Sequence, residues 1–272
     1  LREVMVKDMS RRIVVTSGKG GVGKTSVAAN LGAKLSRAGH RVCLCDLDIG
    51  LNNLDVVCGI ENRIVYDLID VIEGRCRLSQ ALVEVDHYPN LCVLPSAHLQ
   101  DKSGITGQNV RAVTDKLAAM CDFVIIDCPA GIEQGFHRAV SAAGEAVVVT
   151  TPHISSVRDA DRVTSLLRCY ALAGVYLVVN RARGDLMMSG DMMSPEEIAD
   201  ILKLPLLGVI PEDDDLPLST AGGSMVSYGR APDLAFNMLA DNLTDNTGEV
   251  FDCTARYRGF FGAVKRSLKR KI

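Results

Sequence analysis

Lys24 and Thr25 close the run Gly18-Lys-Gly-Gly-Val-Gly-Lys-Thr25, with an apolar stretch before it and a helical pattern after it. This is G-x-x-x-x-G-K-[ST] in the strand–turn–helix context that its chemistry requires. Glycines let backbone N–H groups turn inward around phosphates without Cβ clashes. The N-terminus of the following helix adds partial positive charge. A lysine placed like Lys24 reaches the β- and γ-phosphates, and a hydroxyl placed like that of Thr25 ligates Mg²⁺. Gly18, Lys19, Gly20, Gly21, Val22, Gly23, Lys24, Thr25 and Ser26 are therefore the candidate cradle for ATP and Mg²⁺. Lys19 is a second lysine that the plain loop does not require, and its spacing fits a solvated surface side chain equally well.

Carboxylates follow two other apolar runs. Residues 42–45 lead into Asp46-Leu-Asp48, and residues 123–126 lead into Asp127-Cys-Pro-Ala-Gly131. Four apolar residues and an Asp form the Walker-B pattern, which serves Mg²⁺ directly or through water. Asp46 and Asp48 are two residues apart and would face the same way on a continuing strand. One of them can hold Mg²⁺ water while the other orients an attacking water. Each taken alone also fits a turn or cap.

These groups need a frame. Short apolar runs recur at 13–16, 42–45, 91–94, 123–126, 146–150, 175–179 and 206–210. They are continuous rather than alternating, which suits strands covered on both faces of a parallel sheet. Amphipathic stretches at 27–38, 110–120, 159–170 and 195–202 alternate with them, which predicts an α/β fold with a mostly parallel central sheet and helices on both faces. In such folds ligands bind at the carboxyl ends of the strands, where the polar motifs lie. The expected organisation is an N-terminal extension over 1–11, a P-loop domain over 12–240, a polar linker over 241–253 and a C-terminal amphipathic helix over 254–272.

No acidic residue follows Asp252, whereas seven Lys or Arg residues do. At helical spacing Tyr257, Phe260, Phe261, Val264, Leu268 and Ile272 share one stripe, with Lys265 and Lys269 off it. A basic amphipathic segment with aromatics reads as a membrane-surface helix. A helix docked on the protein's own core and a nucleic-acid arm are the plainer alternatives. Large apolar side chains contribute about 1.5–3 kcal/mol each when buried, and each Lys or Arg near an anionic surface about 1 kcal/mol. Ordering the peptide costs about 1–2 kcal/mol per residue. One tail would therefore bind weakly, while two on a dimer would gain about 10²–10⁴ in avidity.

The chain has 272 residues, enough for one large domain. Net charge is −3, which is not that of a polyanion binder. The nine cysteines form no C-x-x-C pair and read as reduced thiols, mostly acting as small apolar residues. The first ten residues lack the apolar core of a signal peptide, and no stretch has the apolar length of a membrane span. The five histidines show no nucleophile–His–Asp arrangement. The Met-rich stretch 185–194 suits either packing or a partner contact.

With Lys19 inside it, the loop resembles the deviant Walker A motif of the MinD/ParA ATPases. The run from Asp46 to Asp55 is similar to that family's switch I, and Asp127 to Gly131 to its switch II. The run from Ser155 to Arg162 and the basic tail resemble the septum-placing branch. The resemblance spans nearly everything from Arg12 to Ile272. It implies an ATPase that forms an ATP-dependent homodimer, with Lys19 crossing to the partner's nucleotide. Catalytic roles would fall to Lys19, Lys24, Asp48 and Asp127, with Asp48 positioning the attacking water, and metal roles to Thr25, Asp46 and Asp127. Asn180, Pro211 and Glu212 would lie near adenine. Ser156, Arg158, Asp159 and Asp161 would face partners, namely a MinC-like division inhibitor and a MinE-like or other activator. Phe260, Phe261, Val264, Lys265, Leu268 and Lys269 would meet anionic lipid on the cytoplasmic face of the cell membrane, and no specific nucleic acid is expected. Ser26 departs mildly from relatives that have Thr there. The related readings are a flagellar-number ATPase, a DNA-partitioning ParA and an electron-transfer relative of the nitrogenase iron protein. The first usually has a Gln-containing motif before the loop, which 1–11 lacks. The second calls for basic patches on the folded domain. The third needs a cysteine a few residues beyond Asp127, whereas Cys128 is adjacent to it.

Overall fold

The computed structural model describes residues 10–50, 53–96, 105–216, 225 and 229–258. Its centre is an eight-stranded sheet in the order β3-β4-β2-β5-β1-β6-β7-β8. The strands are β1 (Arg11–Thr16), β2 (Val42–Asp46), β3 (Val83–Glu84), β4 (Leu91–Leu94), β5 (Phe123–Asp127), β6 (Glu145–Thr150), β7 (Gly174–Ala182) and β8 (Leu206–Pro211). All neighbours pair parallel except the edge pair β3–β4. Seven strands coincide with the expected apolar runs to within one to three residues. β3 has two residues, too few to show a period.

Side chains of one strand alternate between two apolar layers. From β1, Val14 enters one layer, and Ile13 and Val15 enter the other. The first layer is capped by α5 (Gly107–Ala118), α6 (Gln134–Ser141), α7 (Ile154–Leu167) and α9 (Pro195–Leu202). The second is capped by α1 (Lys24–Arg37), α2 (Leu54–Cys58) and the C-terminal helix Ala231–Asp245. Three short helices, α3 (Leu68–Ile72), α4 (Leu78–Ala81) and α8 (Gly184–Met188), also lie among the described residues, and Ala231–Asp245 is labelled α10. Capping sets several boundaries. Thr106 accepts from Asn109 N–H and starts α5 ahead of its apolar periodicity. Ser194 does the same for α9, with Pro195 at its first position.

Residues 241–253 differ from the expected polar linker. α10 runs on to Asp245 with Leu243 buried, and the Asn242 side chain donates to Leu207 O at 2.9 Å and Glu249 O at 2.6 Å. Asn246 stops the helix in the left-handed conformation, φ 52°. The chain then returns along β8, burying Cys253 against Ala182 and Val209. A Cβ on Gly184 would meet the Cys253 carbonyl oxygen at 1.9 Å, so this strap lies on the first turn of α8. Tyr257 is fully buried, so it belongs to the fold and not to a lipid-facing stripe. Polar composition concealed this because asparagine amides here satisfy main-chain carbonyls. Residues 259–272, with Phe260, Phe261, Val264, Lys265, Leu268 and Lys269, lie outside the described residues. Most of the N-terminal extension does too, but Arg11 opens β1 and pairs with Glu145 at 2.6 Å. Among the described residues no helix is long and apolar enough to cross a membrane. The Met-rich stretch divides: Met187 and Met193 pack inward, while Met188 is exposed.

Candidate nucleotide site

The glycine-rich loop leaves the carboxyl end of β1, beside its sheet neighbours β5 and β6. Gly21 (φ 77°) and Gly23 (φ 93°) take the left-handed conformation, and Gly23 is the residue from which α1 starts. Only glycine adopts this geometry without strain. The Ser17 hydroxyl donates to Lys19 O at 2.8 Å, and Gly131 N–H donates to Ser17 O at 3.3 Å. The loop is thereby fastened to the segment following β5. A Cβ on Gly18 would meet the Asp159 carbonyl oxygen at 2.1 Å, so α7 packs directly on the loop. Lys24 is buried at the first position of α1, whose first turn carries no acidic residue. The positive end of this helix is left facing the loop.

β2 and β5 bring Asp46 and Asp127 into register as cross-strand neighbours. Asp46 is 1% exposed and Asp127 2%. Burial first, and then the charge of Asp127, push the Asp46 carboxyl well above its ordinary range. Burial likewise pushes Asp127 up to about 6, opposed by a hydrogen bond from Thr25 and by the charge of Lys24. Asp127 Oδ1 is buried without a hydrogen-bond partner. Two adjacent buried carboxylates and an orphaned oxygen next to a hydroxyl form an arrangement suited to a hard divalent cation with oxygen ligands. Thr25, Asp46 and Asp127 are the residues that could hold such an ion. Asp48, half-buried two residues beyond the end of β2, donates its N–H to Asp46 Oδ1 at 2.8 Å.

Behind the loop, Gly23, Ser26, Asn180, Pro211 and Glu212 line one cavity of about 350 Å³ with Arg181. Asn180, Pro211 and Glu212, the residues expected near a base, are thus brought together at the carboxyl ends of β7 and β8. The Asn180 amide also donates to Val22 O at 2.8 Å, a buried bond that ties β7 to the loop. Lys19 lies elsewhere. Exposed, it lines a second cavity of about 370 Å³ with Gly20, His153, Arg181, Arg183 and Glu212.

The proposed partner face is uneven. Arg158 and Asp161 are exposed on α7. Asp159 pairs with Arg162 at 3.6 Å. Ser156 is 6% exposed and its hydroxyl accepts from Thr151 at 2.9 Å, so it serves the fold. Exposed Ile154, which opens this helix, was not singled out from the sequence. Nor were Arg181 and Arg183, although two arginines flanking the end of an apolar strand were a usable signal. Arg181 has φ 58°, at a register shift between β7 and β8. Arg183 pairs with Asp185 at 2.8 Å and approaches Glu212 to 3.8 Å.

The sequence profile described as the CobQ/CobB/MinD/ParA nucleotide binding domain matches residues 13–226. The septum site-determining protein MinD of Bacillus subtilis is 50% identical over 221 residues, which cover 80% of this chain and 82% of that protein. Among solved structures, the MinC:MinD cell division protein complex of Aquifex aeolicus superposes with a TM-score of 0.81 at 39% identity, covering 87% of this chain and 96% of the other. MinD of Pyrococcus horikoshii complexed with Mg-ADP gives 0.78 at 32% identity, covering 88% and 98%.

Proposed function

Since the chain belongs to the CobQ/CobB/MinD/ParA family of nucleotide-binding domains, we propose that it is an ATP-hydrolysing switch that places the division septum. In this reading ATP drives homodimerisation, the dimer holds the cytoplasmic face of the cell membrane through the C-terminal segment, and it recruits a MinC-like inhibitor. A MinE-like or other activator stimulates hydrolysis and release. The observation that carries the reading is the buried Asp46–Asp127 pair beside Thr25 and Lys24 at the mouth of the glycine-rich loop. Similarity to a protein solved with MinC supports the inhibitor as partner, and similarity to one solved with Mg-ADP supports the nucleotide and its metal.

The chain's own groups divide the work. Loop amides and Lys24 hold the β- and γ-phosphates and offset the charge that develops on transfer. Asp48 orients the attacking water. Thr25, Asp46 and Asp127 hold Mg²⁺, which when bound supplies Lewis-acid charge to the phosphate oxygens. Lys19, exposed and outside the cavity behind the loop, is available to the partner's nucleotide across a dimer. Asn180, Pro211 and Glu212 take the base, and Arg158, Asp159 and Asp161 offer the polar partner face.

Sedimentation with vesicles of anionic lipid tests the reading. The full chain should pellet with a non-hydrolysable ATP analogue and stay in solution with ADP, and ATP turnover should rise when vesicles are added. Equal pelleting with both nucleotides would refute it.

A further inference from the structure

β7 breaks its register with β8 at the mouth of the nucleotide site. Val179 pairs with Val209 and Ala182 with Pro211, so Asn180 and Arg181 on one strand oppose Ile210 alone on the other. The ladder resumes at once, since Glu212 N–H donates to Ala182 O at 3.0 Å. Successive side chains of a regular strand point to opposite faces. Here the successive residues Asn180 and Arg181 line the same cavity behind the glycine-rich loop. A bulge re-aims a side chain in this way.

The bulge depends on a costly backbone. Arg181 has φ 58°, and His87, Lys203 and Asn246 are the other described residues that take the left-handed region without being glycine. Lys203 and Asn246 end helices and His87 lies in a turn, so among the described residues Arg181 alone does this inside a strand. Such a conformation costs a residue with a side chain free energy, and it gathers at ligand sites. The Arg181 side chain is exposed between buried Asn180 and Ala182, so packing does not offset that cost. Its guanidinium makes no hydrogen bond or ion pair with a described residue, whereas Arg183 is engaged by Asp185 and Glu212.

Arg181 also lines the cavity that holds Lys19, Gly20 and Gly21, so it stands on the ridge between the two. Asp213 and Asp214 border the cavity behind the loop, Lys19, His153 and Arg183 border the other, and Glu212 borders both. Acids repel phosphates from the first cavity and leave it to an uncharged base, while the loop draws the phosphates to itself. The phosphate nearest the sugar then passes the ridge. We infer that Arg181 is a phosphate ligand, its guanidinium taking that phosphate with paired N–H donors, which match phosphate oxygens. The inference rests on the nucleotide reading and adds to it a residue whose backbone is bent for the ligand rather than for the fold.

Calorimetric titration of the full chain and of Arg181→Gly with ADP, inorganic tripolyphosphate and adenosine, each with Mg²⁺, tests it. Glycine keeps the left-handed backbone and removes the guanidinium. Loss of a charge-assisted hydrogen bond should weaken ADP and tripolyphosphate about tenfold or more and leave adenosine unchanged. The urea midpoint of Arg181→Gly should equal or exceed the parent's, because the strain is relieved. Unchanged affinity for tripolyphosphate, an equal loss for adenosine, or a lowered urea midpoint alongside the loss would each overturn the assignment. The last of these would make the side chain a part of the fold. A parent that binds neither ADP nor tripolyphosphate would instead remove the nucleotide reading, and the assignment with it.

Discussion

Asp46 and Asp127 stand side by side at the ends of β2 and β5, in register and almost wholly buried, with no basic group paired to either by a salt bridge among the described residues. Burial holds the Asp127 carboxyl up at about 6, so the ionised form costs the nucleotide-free fold about 2–3 kcal/mol at pH 7. The sign follows from linkage. Below about pH 4 the group is protonated in folded and unfolded chains alike, and the cost is absent; it grows as pH rises and is complete above 6. Asp127→Asn should therefore raise the stability of the nucleotide-free protein by about 1–3 kcal/mol at pH 7 and by little at pH 4. The same variant should lose the extra stability that Mg²⁺ adds in the presence of ADP. Urea denaturation at the two pH values, with and without Mg²⁺ and ADP, measures both. A variant less stable than the parent at pH 7 would show that the buried pair is not a source of strain.

Asn180 reaches two things at once: the cavity behind the loop and the carbonyl of Val22. Its amide should therefore matter even to a ligand that has no base. A net hydrogen bond is worth about 0.5–1.5 kcal/mol, so Asn180→Ala should weaken both ADP and inorganic tripolyphosphate about three- to tenfold. Calorimetric titration of both ligands decides it. Loss confined to ADP would assign Asn180 to the base alone.

Lys19 is exposed, and its side chain has no hydrogen-bonding or ionic partner within the described residues. Lys19→Ala should change stability by less than about 0.5 kcal/mol yet abolish the ATP-dependent dimer in light scattering, and with it stimulated hydrolysis. A variant that dimerises normally would return Lys19 to the solvated surface.

The core was legible because parallel strands buried on both faces must be continuous apolar runs: residues 42–46 and 123–127 could hardly be anything else, and their terminal aspartates then lie at the carboxyl edge. Asn242 was illegible for the opposite reason. Its type suggests a turn, and only the fold supplies the Leu207 and Glu249 carbonyls that make it a buried brace. Tyr257 misled in the same way, since helical spacing puts it on an apolar stripe but cannot say which surface that stripe meets. Ser156 sits in a run read for its resemblance, where contact with Thr151 is invisible to sequence.

Lys34 and Asp233 form a buried ion pair joining α1, the helix that leaves the glycine-rich loop, to α10, which covers the same apolar layer. Burial works to raise the Asp233 carboxyl. The hydrogen bond from Lys34, the N–H of Gly229 at 2.9 Å and the lysine's charge outweigh it, and the group ends below its ordinary value. Its contribution to stability is thus present above about pH 4 and is lost as pH falls through the depressed folded value. Asp233→Asn leaves the Lys34 charge buried and uncompensated, which should cost about 3–5 kcal/mol at pH 7. Removing both charges in Lys34→Met with Asp233→Leu should recover most of that loss, because the desolvation penalty disappears together with the attraction. Urea denaturation of parent, single and double variants at pH 7, and of parent and single variant near pH 3, measures each term. A single variant within about 1 kcal/mol of the parent at pH 7 would mean that water, rather than Asp233, solvates Lys34.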